Sequence, residues 1–197
     1  MSLPPQKRYD RNLSFRSNIM EIMAVAEVHP LFIIKTEEDP PRASPYILCG
    51  IGFFHFNPQA KLNDTWYDLH PLRLEGQGFT EYPNRKQYKL SQFNFPMGIG
   101  ARYEINHLLN ARFEIIHRKL NTDYLDDVST RYINPIYFLN YLSPSQAAVA
   151  AQLYDRRGEL NPNHTPKMDE RGDPKDNDSY FTVMLKIGFT IRQRIRN

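Results

Sequence analysis

Lys89-Leu90-Ser91-Gln92-Phe93-Asn94-Phe95-Pro96-Met97-Gly98-Ile99-Gly100-Ala101-Arg102-Tyr103-Glu104-Ile105 is the stretch that decides the fold. Phe93, Phe95, Met97, Ile99, Ala101, Tyr103 and Ile105 are apolar, while Gln92, Asn94, Pro96, Gly98, Gly100, Arg102 and Glu104 between them are polar or small. Successive strand side chains point to opposite faces, so this period of two predicts one long strand with an apolar and a polar face. Globular strands typically hold about 5–6 residues. This run exceeds that, and exceeds the roughly 9–11 tilted residues that cross a bilayer.

The same alternation extends outward from it. Phe181, Val183, Leu185, Ile187, Phe189 and Ile191 interleave with Thr182, Met184, Lys186, Gly188, Thr190 and Arg192 near the end of the chain. Leu109, Ala111, Phe113 and Ile115 oppose Asn110, Arg112, Glu114 and Arg118, with Ile116 the one apolar residue on the polar side. Only a few residues separate this run from the decisive one, which predicts a hairpin. A turn centred near His107 sets Arg102 diagonal to Glu114 and Glu104 diagonal to Arg112, a geometry that suits cross-strand ion pairs. Upstream, Met20, Ile22, Ala24, Ala26 and Val28 share one face and Glu21 and Glu27 the other. Leu13 and Phe15 have the opposite parity, which predicts a bulge between Phe15 and Met20. Tyr46 to Phe56 is apolar on both parities and leaves its outward face open. The expected strands lie near 12–34, 46–56, 88–105, 109–120 and 180–192, antiparallel and paired in sequence order.

The connections alternate in length. About thirty residues rich in Asn, Pro, Gly and Asp separate Phe56 from Tyr88, a tight turn follows, and the last connection runs from about Asn121 to Asp178. Compact soluble domains seldom carry two such loops. Outer-membrane barrels do, with short periplasmic turns and long outer loops. The connection from Lys35 to Pro45 fits a periplasmic turn only loosely. Within the longest loop, Ser143 as cap, Pro144 at the first helical position and Ala147, Ala148, Ala150 and Ala151 predict one helix over 145–156, ending before Gly158.

A chain of 197 residues suits a single domain, here 1–197. Its 41% hydrophobic content argues against wholesale disorder. Nowhere do about 18 apolar residues run together, which excludes a transmembrane helix. A mean hydropathy of -0.60 does not count against a membrane barrel, whose alternating strands leave such averages nearly flat. A net charge of +3 with scattered basic residues gives no reason to expect nucleic acid, and Arg192, Arg194 and Arg196 read as a solvated chain end. Cys49 stands alone, so neither an intramolecular disulfide nor a Cys/His zinc site can form. In its apolar run it fits a small core or lipid-facing residue. The start, Met-Ser-Leu-Pro-Pro-Gln-Lys-Arg, has no apolar leader segment.

Asp123, Asp126 and Asp127 form the densest carboxylate cluster. Their spacing is not that of a calcium loop, and turn hydrogen bonding is the simpler role. His29, His55, His70, His107, His117 and His164 are dispersed, with no metal-ligand spacing. A nucleophile elbow, a P-loop and a GxGxxG are absent. Gly50-Ile51-Gly52 and Gly98-Ile99-Gly100 sit inside strands, where glycine marks bending or close packing. Glu21, Glu27, Arg102, Arg112, Lys186 and Arg192 are expected to neutralise one another on the polar faces. No residue is assigned a catalytic, cofactor-binding or metal role, no cofactor or small-molecule substrate is expected, and the expectation is a protein that is not an enzyme.

Arg11-Asn12-Leu13-Ser14-Phe15-Arg16-Ser17-Asn18-Ile19-Met20-Glu21, Phe54-His55-Phe56-Asn57-Pro58, Glu75-Gly76-Gln77-Gly78 and above all Thr122-Asp123-Tyr124-Leu125-Asp126-Asp127-Val128-Ser129 resemble the PorG-like outer-membrane barrel proteins of Bacteroidetes, associated with the type IX secretion system. The resemblance covers nearly the whole chain. It implies an all-β, antiparallel up-and-down barrel of the eight-stranded outer-membrane type, located in the outer membrane. It also implies a non-enzymatic structural or anchoring role, with outer-membrane lipid and periplasmic secretion-ring proteins as partners. Family members carry a signal peptide and about three strands before the segment resembling residues 11–21, so the expectation is an incomplete barrel of about five strands with one short loop helix. The alternative is a soluble antiparallel barrel binding a small apolar ligand, which needs the apolar parity inside and the Arg/Glu parity outside.

Overall fold

The structure, a computed structural model, describes residues 9–31 and 41–189. Residues 32–34 of the first expected strand, most of the Lys35–Pro45 connection, residues 190–192 of the last strand and the arginines beyond lie outside the described residues. The fold is mostly antiparallel β, with five long strands in a curled half-barrel sheet and few short helices. The strands are β1 (Arg16–Val28), β2 (Ala43–Leu62), β3 (Thr65–Asp68), β4 (Ser91–Glu104), β5 (Leu109–Leu120) and β6 (Ser179–Phe189). Their order is β1-β2-β4-β5-β6, with the short β3 paired to β2 alone. The five long strands therefore pair in sequence order as expected.

The hairpin register follows the predicted turn. Arg102 faces Arg112, Gly100 faces Glu114 and Ile99 faces Ile115, with Leu108 N and Leu109 N both donating to the Asn106 side chain in the turn. On β2 the ambiguity resolves cleanly, because Ser44, Tyr46, Leu48, Phe54 and Phe56 are buried while Ile47, Cys49, Ile51 and Phe53 are exposed. Exposure on β1 passes to even numbers after Phe15, with Ile19 and Met20 both exposed, in keeping with a slip in parity there.

Two expectations of extent need correcting. β2 continues six residues beyond Phe56 and turns through Asn63 and Asp64, both at positive φ (47° and 64°), into β3, with Leu62 facing Thr65. Asn and Asp tolerate that left-handed geometry, and a two-residue turn of this kind matches the strand twist. The helix is also shorter than 145–156. As α2 it spans Pro144–Leu153, headed by a capping box in which the Ser143 side chain accepts from Gln146 N and the Gln146 side chain accepts from Ser143 N. It stops because the Asp155 carboxylate accepts from Arg157 N, Nε and Nη2, which starts a new turn, α3 (Arg157–Leu160), with Gly158 inside it. A further short helix, α1 (Phe138–Tyr141), precedes α2.

The chain forms two compact units. One holds residues 22–31, 41–53, 93–120 and 179–189, and the other residues 9–21, 54–92 and 121–178. The first is the sheet unit, the second the loop unit, whose core gathers Leu69, Leu72, Leu74, Phe79, Tyr132, Ile133, Phe138, Leu153 and Tyr154.

Candidate functional site

The sheet unit presents two chemically distinct faces. On the apolar one, Ile22, Ile51, Phe93, Ile99, Phe113, Val183, Leu185 and Ile187 are all exposed, from 47% for Phe113 to 80% for Ile22. Five adjacent strands contribute, so the patch is continuous across the sheet. Soluble monomers seldom expose more than a few hundred Å² of contiguous apolar surface.

The opposite face is ion-paired. Arg112 Nη1 lies 3.0 Å from Glu27 Oε1, and Lys186 Nζ lies 2.6 Å from Glu114 Oε2. Tyr46 donates to Glu114 Oε1 at 2.7 Å, so both carboxylate oxygens are used. Glu27 on β1 and Arg112 on β5 are three strand spacings apart, about 14 Å on a flat sheet. Their contact requires the sheet to curl toward this face, which makes it the concave one. Tyr46 lies over Gly100, where a Cβ would collide with its ring, and Ile116 packs with Tyr46 and Leu48. The polar-side Ile116 of the sequence is thus an interior packing residue.

The diagonal ion pairs expected from the hairpin do not form. Glu114 takes Tyr46 and Lys186, and Arg112 takes Glu27, because side chains converging across a concave face reach strands beyond their neighbours. Arg102 Nε is buried with no hydrogen-bond partner among the described residues. His29 bridges Glu27 Oε2 (3.2 Å) and Ser44 Oγ (3.3 Å), a Glu-His-Ser chain. Ser44 is 1% exposed and Glu27 is held by Arg112, so the chain fixes the concave face rather than presenting a nucleophile. The other five histidines are apart: His55 meets Ser91, His70 meets Tyr88 O, His107 is exposed in the β4–β5 turn, His117 packs on Phe181 and His164 pairs with Asp155.

The loop unit is organised by a buried charge cluster. Glu75 accepts from Ser129 N, Thr130 N and Thr130 Oγ1 at 2.7–2.9 Å, and pairs with Arg171 Nη1 at 3.0 Å. Arg171 also donates to Asp127 O and Tyr154 O. Gly76 and Gly78 hold φ of 72° and 78°, where a side chain is strained, and a Cβ on Gly76 would strike the Tyr82 ring. Asp127, itself at φ 62°, accepts from the Tyr88 hydroxyl at 2.7 Å, Asp126 accepts from Val128 N, and Asp178 accepts from Leu125 N. These are turn and loop hydrogen bonds. Among the described residues no group of three or more His, Cys, Asp or Glu is placed to hold a metal ion.

Desolvation sets the charge state of these acids. Burial pushes Asp123 and Asp127 up to about 7 and Asp126 up to about 6, and raises Asp178 as well. Oδ2 of Asp123 and of Asp127 are buried without a hydrogen-bond partner, as protonated or half-protonated carboxyls tolerate. Arg171 is held protonated by Glu75 and Asp127 against its own burial. A cavity of about 210 Å³ in this unit is walled by Leu13, Phe15, Leu69, Leu74 and Leu153, with Arg11, Asp126 and Arg156 on its lining.

Sequence reasoning singled out the Glu75 and Asp123 segments as motifs without seeing what joins them. Arg171 was missed. An arginine between an acidic residue and a glycine in a long loop carries little signal by itself, although Gly172, where an added Cβ would strike the Ser129 backbone, marks a close approach. Comparison with family models, with curated proteins and with solved structures returns no match.

Proposed function

We propose that this chain is part of an outer-membrane β-barrel that acts, without enzymatic activity, as a structural or anchoring component of type IX protein secretion. In this reading its apolar face meets outer-membrane lipid, and its short-turn end faces periplasmic secretion-ring proteins. The observation that carries the membrane part is the continuous exposed apolar face backed by an ion-paired concave one. Membrane barrels place apolar side chains toward lipid and polar ones toward the lumen. A soluble barrel holding an apolar ligand needs the opposite parity inside, whereas the concave face carries the Glu27–Arg112 and Glu114–Lys186 pairs beside its small cluster of Tyr46, Leu48 and Ile116.

The secretion role rests on the four sequence segments that resemble the PorG-like family. The loop unit supports it in that Glu75, Asp127 and Ser129, drawn from two of those segments, meet around Arg171. Shared segments that jointly build one buried cluster are what a common loop architecture requires.

Denaturant titration of the full-length protein folded in phosphatidylcholine vesicles tests the membrane part. Ile99→Arg, on the apolar face, should cost about 2–4 kcal/mol near the bilayer midplane. Gln92→Arg, on the opposite parity, should cost clearly less. Equal tolerance at the two positions, or a protein that stays in the aqueous fraction when floated with the vesicles, contradicts the reading.

A further inference from the structure

The cavity of about 210 Å³ in the loop unit has a lining of two kinds. Ala60, Leu69, Leu74 and Leu153 line it and are each at most 5% exposed, which gives it a sealed apolar floor. Ser14 and Phe15 line it and are exposed, so it reaches the surface beside them. A cavity of about 150 Å³ walled by Leu, Ile and Phe takes up benzene, so this one has room for an apolar molecule of about eight heavy atoms.

Two charged side chains on the same lining each keep one polar atom in reserve. Arg171 is 1% exposed, and its Nε and Nη1 donate to Tyr154 O, Glu75 Oε1 and Asp127 O, while Nη2 makes no hydrogen bond to the described residues. Asp126 accepts from Val128 N through Oδ1, and its Oδ2 accepts from none of the described residues. The Arg171 charge is near enough to draw the Asp126 carboxyl down, yet no ion pair joins the two among the described residues. A donor and an acceptor therefore share one apolar cavity, and leaving either unmet is costly. A carboxylate entering it would sit against Asp126, and an ammonium against Arg171. A hydroxyl suits both, because it accepts from one and donates to the other. We infer that this cavity binds a small neutral apolar molecule bearing one hydroxyl, with its body on Leu69, Leu74 and Leu153 and its hydroxyl between Asp126 and Arg171. Binding makes and breaks no covalent bond. The inference rests on the loop unit alone and not on the membrane reading.

The test uses the full chain with ¹³C-labelled leucine methyls, in detergent micelles or in plain buffer if it is water-soluble. The pH is 7.5, above the value of about 6 to which burial raises Asp126, so that its carboxylate is the acceptor. The probe is p-cresol, and the control is p-xylene, which matches it in size and lacks the hydroxyl. Signals of Leu74, Leu153 and the exposed Leu139 are identified by their loss in the single Leu→Met variants. With p-cresol, the Leu74 and Leu153 methyls move saturably and those of Leu139 stay in place. Asp126→Asn keeps an acceptor for Val128 N and puts an amide donor where Oδ2 was. It weakens p-cresol about tenfold, as loss of a hydrogen bond to a charged group does, and leaves p-xylene unchanged. Floor methyls that p-cresol does not move in the parent overturn the inference, since water alone then fills the cavity. Equal movement of Leu139 overturns it as general partitioning. A variant that weakens both probes equally, or neither, overturns it too, because Asp126 then does not read the hydroxyl.

Discussion

Glu75 and Arg171 meet at 3.0 Å with both side chains sealed from solvent, 96 residues apart in sequence. Each uses the pair to fix other backbone: Glu75 gathers the amides of Ser129 and Thr130, and Arg171 the carbonyls of Asp127 and Tyr154. Four stretches of the chain, at Glu75, 127–130, Tyr154 and Arg171, are thereby closed on one charge pair.

Removing one partner strands a buried charge, which typically costs about 3–5 kcal/mol. Arg171→Met should therefore unfold the loop unit while leaving the sheet formed. Limited proteolysis should cut within 121–178 in the variant and not in the parent, with the strands still protected from hydrogen exchange. An intact loop in Arg171→Met would mean that the apolar core around Leu74, Phe79 and Phe138 suffices alone.

The acids around this pair make the same unit sensitive to pH. Asp123 and Asp127 have folded values raised to about 7 from an ordinary 3.8, so between those limits the folded state holds protons that the unfolded chain has released. Stability falls wherever the folded state binds more protons. Their contribution is fully present below about pH 4 and is lost as pH rises through about 7. Trp66, the only tryptophan, lies in the loop unit and reports it by fluorescence. The Trp66 denaturation midpoint should fall from pH 5 to pH 8, and Asp123→Asn should flatten that slope. A midpoint that rises across this range would contradict burial of these carboxyls.

Tyr46 over Gly100 is a close fit on the concave face. Gly100→Val should destabilise the sheet by about 1–3 kcal/mol through overpacking. Tyr46→Ala in the same chain should recover part of that loss. Additive losses in a double-mutant cycle would show that the ring and the glycine do not share the space.

Alternation made the strands, their order and the hairpin register legible, because period two reports a face directly and a tight turn leaves few registers. The parity of β2 was not legible, since Ile47, Ile51 and Phe53 outside and Leu48, Phe54 and Phe56 inside are equally apolar. Tyr46 and Leu48 are buried by packing with Ile116 across strands, and Phe56 stacks on Phe54 and on Tyr88. β3 was missed because its four residues are too few for a pattern, although Asn63-Asp64 was a readable turn. In the loops, Asp123, Asp126 and Asp127 were visible as a cluster, but their partners Glu75, Tyr88, Arg171 and Asp178 come from far along the chain. Long-range pairing of single charges leaves no periodic trace. The ion pairs on the concave face were misassigned for the same reason, because Glu27 reaches Arg112 only once the sheet is curled.

The central claim is that the apolar parity meets lipid, and two neighbouring positions on β6 test it most directly. Val183 is exposed on the apolar face, and Met184 points to the concave side and packs near Tyr46 and Ile116. In a Trp66→Phe background of the full-length protein, Val183→Trp and Met184→Trp each place one fluorophore. After folding into vesicles of phosphatidylcholine brominated on its acyl chains, the account predicts strong quenching for Val183→Trp and weak quenching for Met184→Trp. Quenching at Met184→Trp equal to or above that at Val183→Trp, or none at either, would contradict it.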